Sequence, residues 1–193
     1  MELILSTTRE LIGERGNDAV SMREIAAGAG VPISSVYQYF PDKGALLMAI
    51  MEDYYDRIHH TLGEAIKDVR DVDGLIRVVP EILKTFAEFF RRDPALANIW
   101  AGIQADPRLV DQDAADSYRN AELFSNALLP LVPGLRKSDI KAFALFFTHT
   151  TGGIIRFSLL VDEKDGRALL KEAATLVELR IRNLVEIAAA RVK

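Results

Sequence analysis

SMREIAAGAGVPISSVYQYF, residues 21–40, followed at once by Pro41, Asp42 and Lys43, decides how the rest of the chain is read. Within Met22–Ala29 the apolar Ile25, Ala26 and Ala29 recur at three- and four-residue steps, the spacing of a helix with one buried face. Ser21 with Glu24 three places on forms a capping box, in which the hydroxyl accepts one orphan amide and the carboxylate reaches back to another. Gly30 supplies a helix-ending residue that reaches positive φ without a Cβ penalty. Helical spacing resumes at Ile33, with Val36 and Phe40 four apart and Val31 just before them. Two short helices around a tight glycine turn predict a helix-turn-helix, whose second helix enters the DNA major groove.

The residues that carry this pattern are Ser21, Ile25-Ala26, Ala29-Gly30-Val31, Ser35-Val36-Tyr37, Tyr39-Phe40 and Lys43. Together they resemble the DNA-binding domain of the tetracycline-repressor-like (TetR) family of transcriptional regulators. Ile4-Leu5, Leu11-Ile12 and Glu14-Arg15-Gly16 are similar to that family's first helix. The motif covers roughly the first quarter of the chain; the remainder agrees in length and helical character. The resemblance implies an all-α protein, with a three-helix DNA-binding domain at residues 1–46. It also implies a C-terminal helical bundle at 47–193 for effector binding and dimerisation.

A 193-residue chain, 49% hydrophobic, has the length and apolar content for a substantial core in one or two domains. The absence of cysteine excludes both a disulfide framework and a thiolate metal site. The N-terminal MELILS has no basic n-region and no long apolar core, so a signal peptide is not expected and a cytoplasmic protein is. The most apolar run, Ala142–Ile155, is interrupted by His149, three threonines and Gly152-Gly153; its length predicts a buried core helix rather than a membrane span. The charge opposes a simple electrostatic picture. The net charge is −4, and within residues 1–52 four basic side chains face seven acidic ones. Phosphate recognition is therefore expected from a few charges, helix N-termini and hydroxyls.

Beyond the motif, periodicity predicts only helices. Leu47, Ile50, Tyr54, Ile58, Leu62 and Ile66 define a long one from Lys43 to about Val69. A second stripe runs from Leu75 to Phe90 and ends in Arg91-Arg92; Pro80 inside it predicts a kink or a start nearby. Asp93-Pro94 and Asp106-Pro107 each pair an N-cap residue with proline at the first helical position, opening helices at 95–104 and 108–129. A loop at Pro130–Gly134 precedes helices at 138–160 and 167–191, with a turn at Asp162–Gly166 between them.

The DNA-facing candidates are Ser21, Arg23, Ile33, Ser34, Ser35, Tyr37, Gln38, Tyr39 and Lys43. Gln38 can pair with an adenine edge and Ile33 can pack on a thymine methyl, while Arg23 can reach phosphate or a base. The resemblance assigns phosphate contacts to Ser35, Tyr37, Tyr39 and Lys43. It also implies a double-stranded operator, a homodimer built through the last two helices, and a small, largely apolar effector. Candidate effector residues are Phe86, Phe90, Trp100, Gln104, Tyr118, Phe143, Phe147 and His149, with Asn98 and Thr148 as further polar groups.

An enzyme is the rival of a different class. The chain has no Glu-x-x-His pair, no Gly-x-Ser-x-Gly elbow, no phosphate-binding glycine loop and no His-Glu-x-x-His. No cofactor, metal or membrane is expected. A dimeric DNA-binding protein without an effector is the closer alternative.

Overall fold

The computed structural model describes residues 1–192, among which every regular element is helical and no strand occurs. Nine α-helices follow one another: α1 Glu2–Arg15, α2 Met22–Gly28, α3 Ile33–Tyr39, α4 Lys43–Ile66, α5 Val72–Arg92, α6 Pro94–Ala101, α7 Pro107–Leu128, α8 Lys137–Leu160 and α9 Glu163–Val192. Short 3₁₀ turns at Ile103–Ala105 and Leu129–Leu131 complete the set. The chain divides into two compact units. One comprises residues 1–57 with 90–114; the other comprises 58–89 with the chain from Ala115 onward.

In the first unit α1 packs on α2, α2 on α3, and α6 on α1. Ile25, Ala26, Ala29, Val36 and Phe40, the apolar positions of the motif, are all buried. The capping box forms: Ser21 Oγ accepts from the Glu24 amide at 3.3 Å, and the Ser21 amide donates to Glu24 Oε2 at 2.9 Å. After α2 the Val31 amide donates to the Ala26 carbonyl and that of Gly30 to Ala27, the paired bonds of a Schellman ending. Gly30 adopts φ 65°, as the turn requires.

The segment 90–114 completes this unit from far along the chain. Asn98 Nδ2 donates to the Ile12 carbonyl at 2.9 Å, a second bond on an acceptor that already takes the Gly16 amide at the end of α1. The Tyr54 hydroxyl donates to Asp93 at 2.6 Å and the Tyr55 hydroxyl to Asp113 at 3.2 Å, which ties α4 to α6 and α7. Asp93 also caps α6 by accepting from the Ala95 and Leu96 amides, with Pro94 at the first helical position as its sequence predicts.

The second unit is built on α8 packed against α9, with the buried faces of α5 and α7. Leu75, Val79, Ile82, Leu83 and Phe86 are buried along α5. The helix neither starts nor stops at Pro80, running unbroken from Val72 to Arg92; Pro80 is exposed, so water can satisfy the carbonyl its missing N–H leaves free. The last helix starts at Glu163 rather than Arg167, because Asp162 accepts from the Lys164 and Asp165 amides at 3.0 Å and caps it four residues early. The expected turn at 162–166 is thus mostly the first turn of α9.

The buried core helix expected over Ala142–Ile155 is corrected. Helix α8 is long and apolar enough to cross a membrane by length and composition, yet only 22% of its most apolar stretch is buried. Ile140, Ala144, Phe147, Thr151, Ile155 and Ser158 face inward at helical spacing, whereas Phe146, Phe157 and Leu160 lie exposed. The apolar residues surround the helix, and α7 and α9 together leave one side of it uncovered.

Candidate nucleic-acid interface

Helix α3 presents a surface of mixed chemistry. Val36 is sealed and Phe40 is buried just past its end, which turns Ile33, Ser34, Tyr37, Gln38 and Tyr39 outward. Tyr37 is 49% exposed, Tyr39 55% and Ile33 39%, so aromatic and aliphatic groups stand in water where a duplex can meet them. Ser35 is half-buried. Pro32 at the N-cap offers no side-chain oxygen, so the first amides of α3 lack a side-chain cap.

Arg23 is exposed in the first turn of α2. Ser21 lies at the surface too, with its hydroxyl and amide engaged in the capping box. The same bonds hold the Glu24 carboxyl below its ordinary range, first through the Ser21 hydroxyl and amide and then through Arg15, 3.1 Å away.

Lys43 is placed differently from an ordinary surface lysine. It opens α4, is half-buried, and its ammonium donates to the backbone carbonyl of Asn17 in the α1–α2 turn. Burial lowers its pKa, against the raising influence of Asp18 and Glu24. Lys43 therefore ties the start of α4 to the loop entering the motif, and two of its three donors remain for another acceptor.

Neighbouring acidic and basic groups went unsingled by sequence reasoning. Asp42 caps α4 by accepting from the Ala45 amide at 2.8 Å, and both its oxygens take hydrogen bonds from Arg108 at 3.0 Å. The Arg108 guanidinium holds the Asp42 carboxyl below its usual value, with the Ala45 amide assisting. The only signal available was Asp106-Pro107, which marks a helix start and says nothing about Asp42.

The effector candidates fall into separate groups. In the first unit the Trp100 ring packs against Phe90 at 5.2 Å and edge-on to Tyr55 at 5.7 Å, while Gln104 is exposed on a 3₁₀ turn. Asn98 is engaged with the Ile12 carbonyl. In the second unit Phe86 is buried, and Phe143 and Phe147 cluster with Phe124 at 6.0 and 5.2 Å. Phe143 and Phe147 also line an apolar cavity of about 370 Å³ between α8 and α9, together with Phe146, Ile154 and Leu176. His149 Nδ1 lies 3.0 Å from Ser117 Oγ, and Thr148 donates to the Ser117 carbonyl. Tyr118 is exposed beneath the Lys141 ammonium.

Residues 4–50 match the family described as bacterial regulatory proteins, tetR family, and residues 73–182 match the tetracyclin repressor-like C-terminal domain. The nucleoid occlusion factor SlmA of Photobacterium profundum is 25% identical over 140 residues, 72% of this chain and 68% of its own length. An HTH-type transcriptional regulator from the dhlA 5' region of Xanthobacter autotrophicus is 26% identical over 186 residues, 94% of this chain and 91% of its own. Among solved structures, a TetR-family transcriptional regulator of Streptomyces coelicolor superimposes with a TM-score of 0.71 at 23% identity, covering 95% of this chain and 98% of that one. A helix-turn-helix with an outward α3, two matched domains and this fold have one reading: the chain belongs to the TetR family of bacterial transcriptional regulators, which are DNA-binding proteins and not enzymes.

Proposed function

We propose that this regulator binds a palindromic operator as a homodimer and represses transcription in the cytoplasm until a small, largely apolar effector releases it. Residues 1–46 carry the DNA contacts; 47–193 dimerise and receive the effector. The observation that carries the reading is the surface of α3, where Ser34, Tyr37, Gln38 and Tyr39 face outward from a sealed Val36. Tyrosine and serine hydroxyls are phosphate donors that need no net positive charge, which suits a chain of net charge −4. Gln38 and Ile33 are the base-reading pair, and Arg23 reaches phosphate or a neighbouring base.

Two features of the second unit support the remainder. The exposed Phe146, Phe157, Leu160, Leu176 and Leu179 of α8 and α9 form an apolar face that a second copy would cover. The cavity of about 370 Å³ lies within the range of about 300–1,000 Å³ for small-molecule sites, and its lining is predominantly apolar. It opens on the same helices, so side chains of a second copy compete with an effector for it. The alternative is a dimeric DNA-binding protein without an effector. A thermal-shift screen of apolar compounds separates the two, since an effector must raise the melting temperature.

The deciding experiment is selection of duplexes from a random pool by the purified protein. Enriched sequences should be palindromic, with half-sites one helical turn or a multiple of it apart, about 34–36 Å per turn. Gln38→Ala should relax preference at one or two base pairs, by about 1–3 kcal/mol. Enrichment of asymmetric sites would end the dimeric-operator reading, and unchanged base preference would remove Gln38 from direct readout.

A further inference from the structure

Arg108 stands 66 residues beyond Asp42, yet its guanidinium closes on both Asp42 and Asp106. Nη1 and Nη2 donate to the two oxygens of Asp42 at 3.0 Å each. Nε and Nη2 donate to the two oxygens of Asp106 at 3.1 and 2.7 Å. The Arg108 amide adds a bond to Asp106 Oδ1 at 2.9 Å, which fixes the arginine at the start of α7. Every nitrogen of the guanidinium is engaged, so Arg108 is not itself poised to take a phosphate. Its planar fork matches carboxylates in a way an ammonium does not.

We propose that Arg108 is a positioning residue for operator binding: braced by Asp106, it clasps Asp42 and so fixes the turn that leads from α3 into α4. This rests on the reading that α3 and Lys43 face the duplex. Asp42 is the residue immediately before Lys43 and two after Phe40, so its placement sets the direction in which α3 is presented. An unneutralised carboxylate at that point would also repel the DNA backbone, and Arg108 cancels its charge. Gly44 supplies an independent sign. Glycine in a helical turn is disfavoured by about 1 kcal/mol relative to alanine. A Cβ at position 44 would overlap the Arg108 guanidinium and the Asp106 carboxylate, so the clasp accounts for the glycine. The side chains of Arg108 and Asp42 are 47% and 50% exposed, so the cluster adds little to stability; its effect lies in orientation.

The test uses duplexes enriched by the wild-type protein, with melting temperature recorded for each variant. Arg108→Gln should weaken binding about tenfold while melting near the wild-type temperature. Arg108→Lys should fall with Arg108→Gln, because it keeps the charge and loses the fork. Gly44→Ala should melt no lower than wild type and bind more weakly, opposite signs that a purely structural role cannot produce. Without DNA, Arg108→Gln should speed amide exchange at Ala45, whose N–H rests on Asp42. Binding by Arg108→Gln within twofold of wild type, full affinity in Arg108→Lys, or unchanged exchange at Ala45 would each overturn the proposal. A wild-type protein that enriches no duplex defeats the operator reading instead, and the exchange measurement still decides whether the clasp holds the turn.

Discussion

Charged side chains in this protein act mainly by where they are anchored. Lys43 is bound to the Asn17 carbonyl, and Asp42 is shared between an amide and a guanidinium. Asp139 shows the same principle in the second unit. One oxygen accepts from the Arg136 amide at 2.8 Å and from Arg191, in the last turn of α9, at 2.7 Å. These bonds, the amide first and Arg191 next, lower its pKa from 3.8 to about 2. The folded value lies below the unfolded one, so the contribution to stability is present above about pH 3.8. It fades as pH falls from there through about 2. Arg191→Ala should raise the Asp139 pKa without restoring 3.8, because the Arg136 amide remains; a carboxyl NMR titration checks this, and an unmoved value would show that Arg191 contributes nothing.

At the scale of elements, the capping residues explain where helices start and glycines explain how closely they approach. Ser21, Asp93 and Asp162 each accept an orphan amide within three residues. Gly166 in the first turn of α9 does something else. It is buried, and a Cβ there would overlap the Ser158 carbonyl near the end of α8. The neighbour is backbone and cannot swing aside, so Gly166→Ala should destabilise the α8–α9 hairpin by about 1–3 kcal/mol. Chemical denaturation measures it. A variant as stable as wild type would mean the two helices tolerate separation. By contrast, a Cβ on Gly153 would meet only the tip of Arg156, so α8 and α9 approach closely at Gly166 and not at Gly153.

At the scale of the molecule, α8 and α9 leave Phe146, Phe157, Leu160, Leu176 and Leu179 in water. The proposed homodimer predicts that replacing Phe146 and Leu176 together by glutamate leaves a folded monomer, detected by light scattering on a sizing column. Losing one of two half-site contacts should then cost a hundredfold or more in duplex affinity, on the order of the avidity that linked sites supply. A double variant that stays dimeric would move the interface elsewhere.

The division between what the chain announces and what folding adds follows the range of the interactions. The helix-turn-helix was legible because its determinants are local: a capping box spans three residues, a Schellman turn five, and an apolar face repeats every three or four. The outward residues of α3 followed from the inward ones by subtraction. Long-range closure was not legible. Nothing near Arg108 marks Asp42, 66 residues away, as its partner, and nothing near Asn98 marks the Ile12 carbonyl, 86 away. The apolar run of α8 was visible in order, yet its exposure was not, because periodicity shows which residues share a face and not how many neighbours arrive to cover it. The sequence by itself determined the helix-turn-helix, the capping box at Ser21 and the outward face of α3. Only the tertiary structure decided that residues 90–114 join the DNA-binding unit, and that a distant arginine grips the turn beside it. Those outcomes depend on chain closure over many residues, which no local propensity encodes.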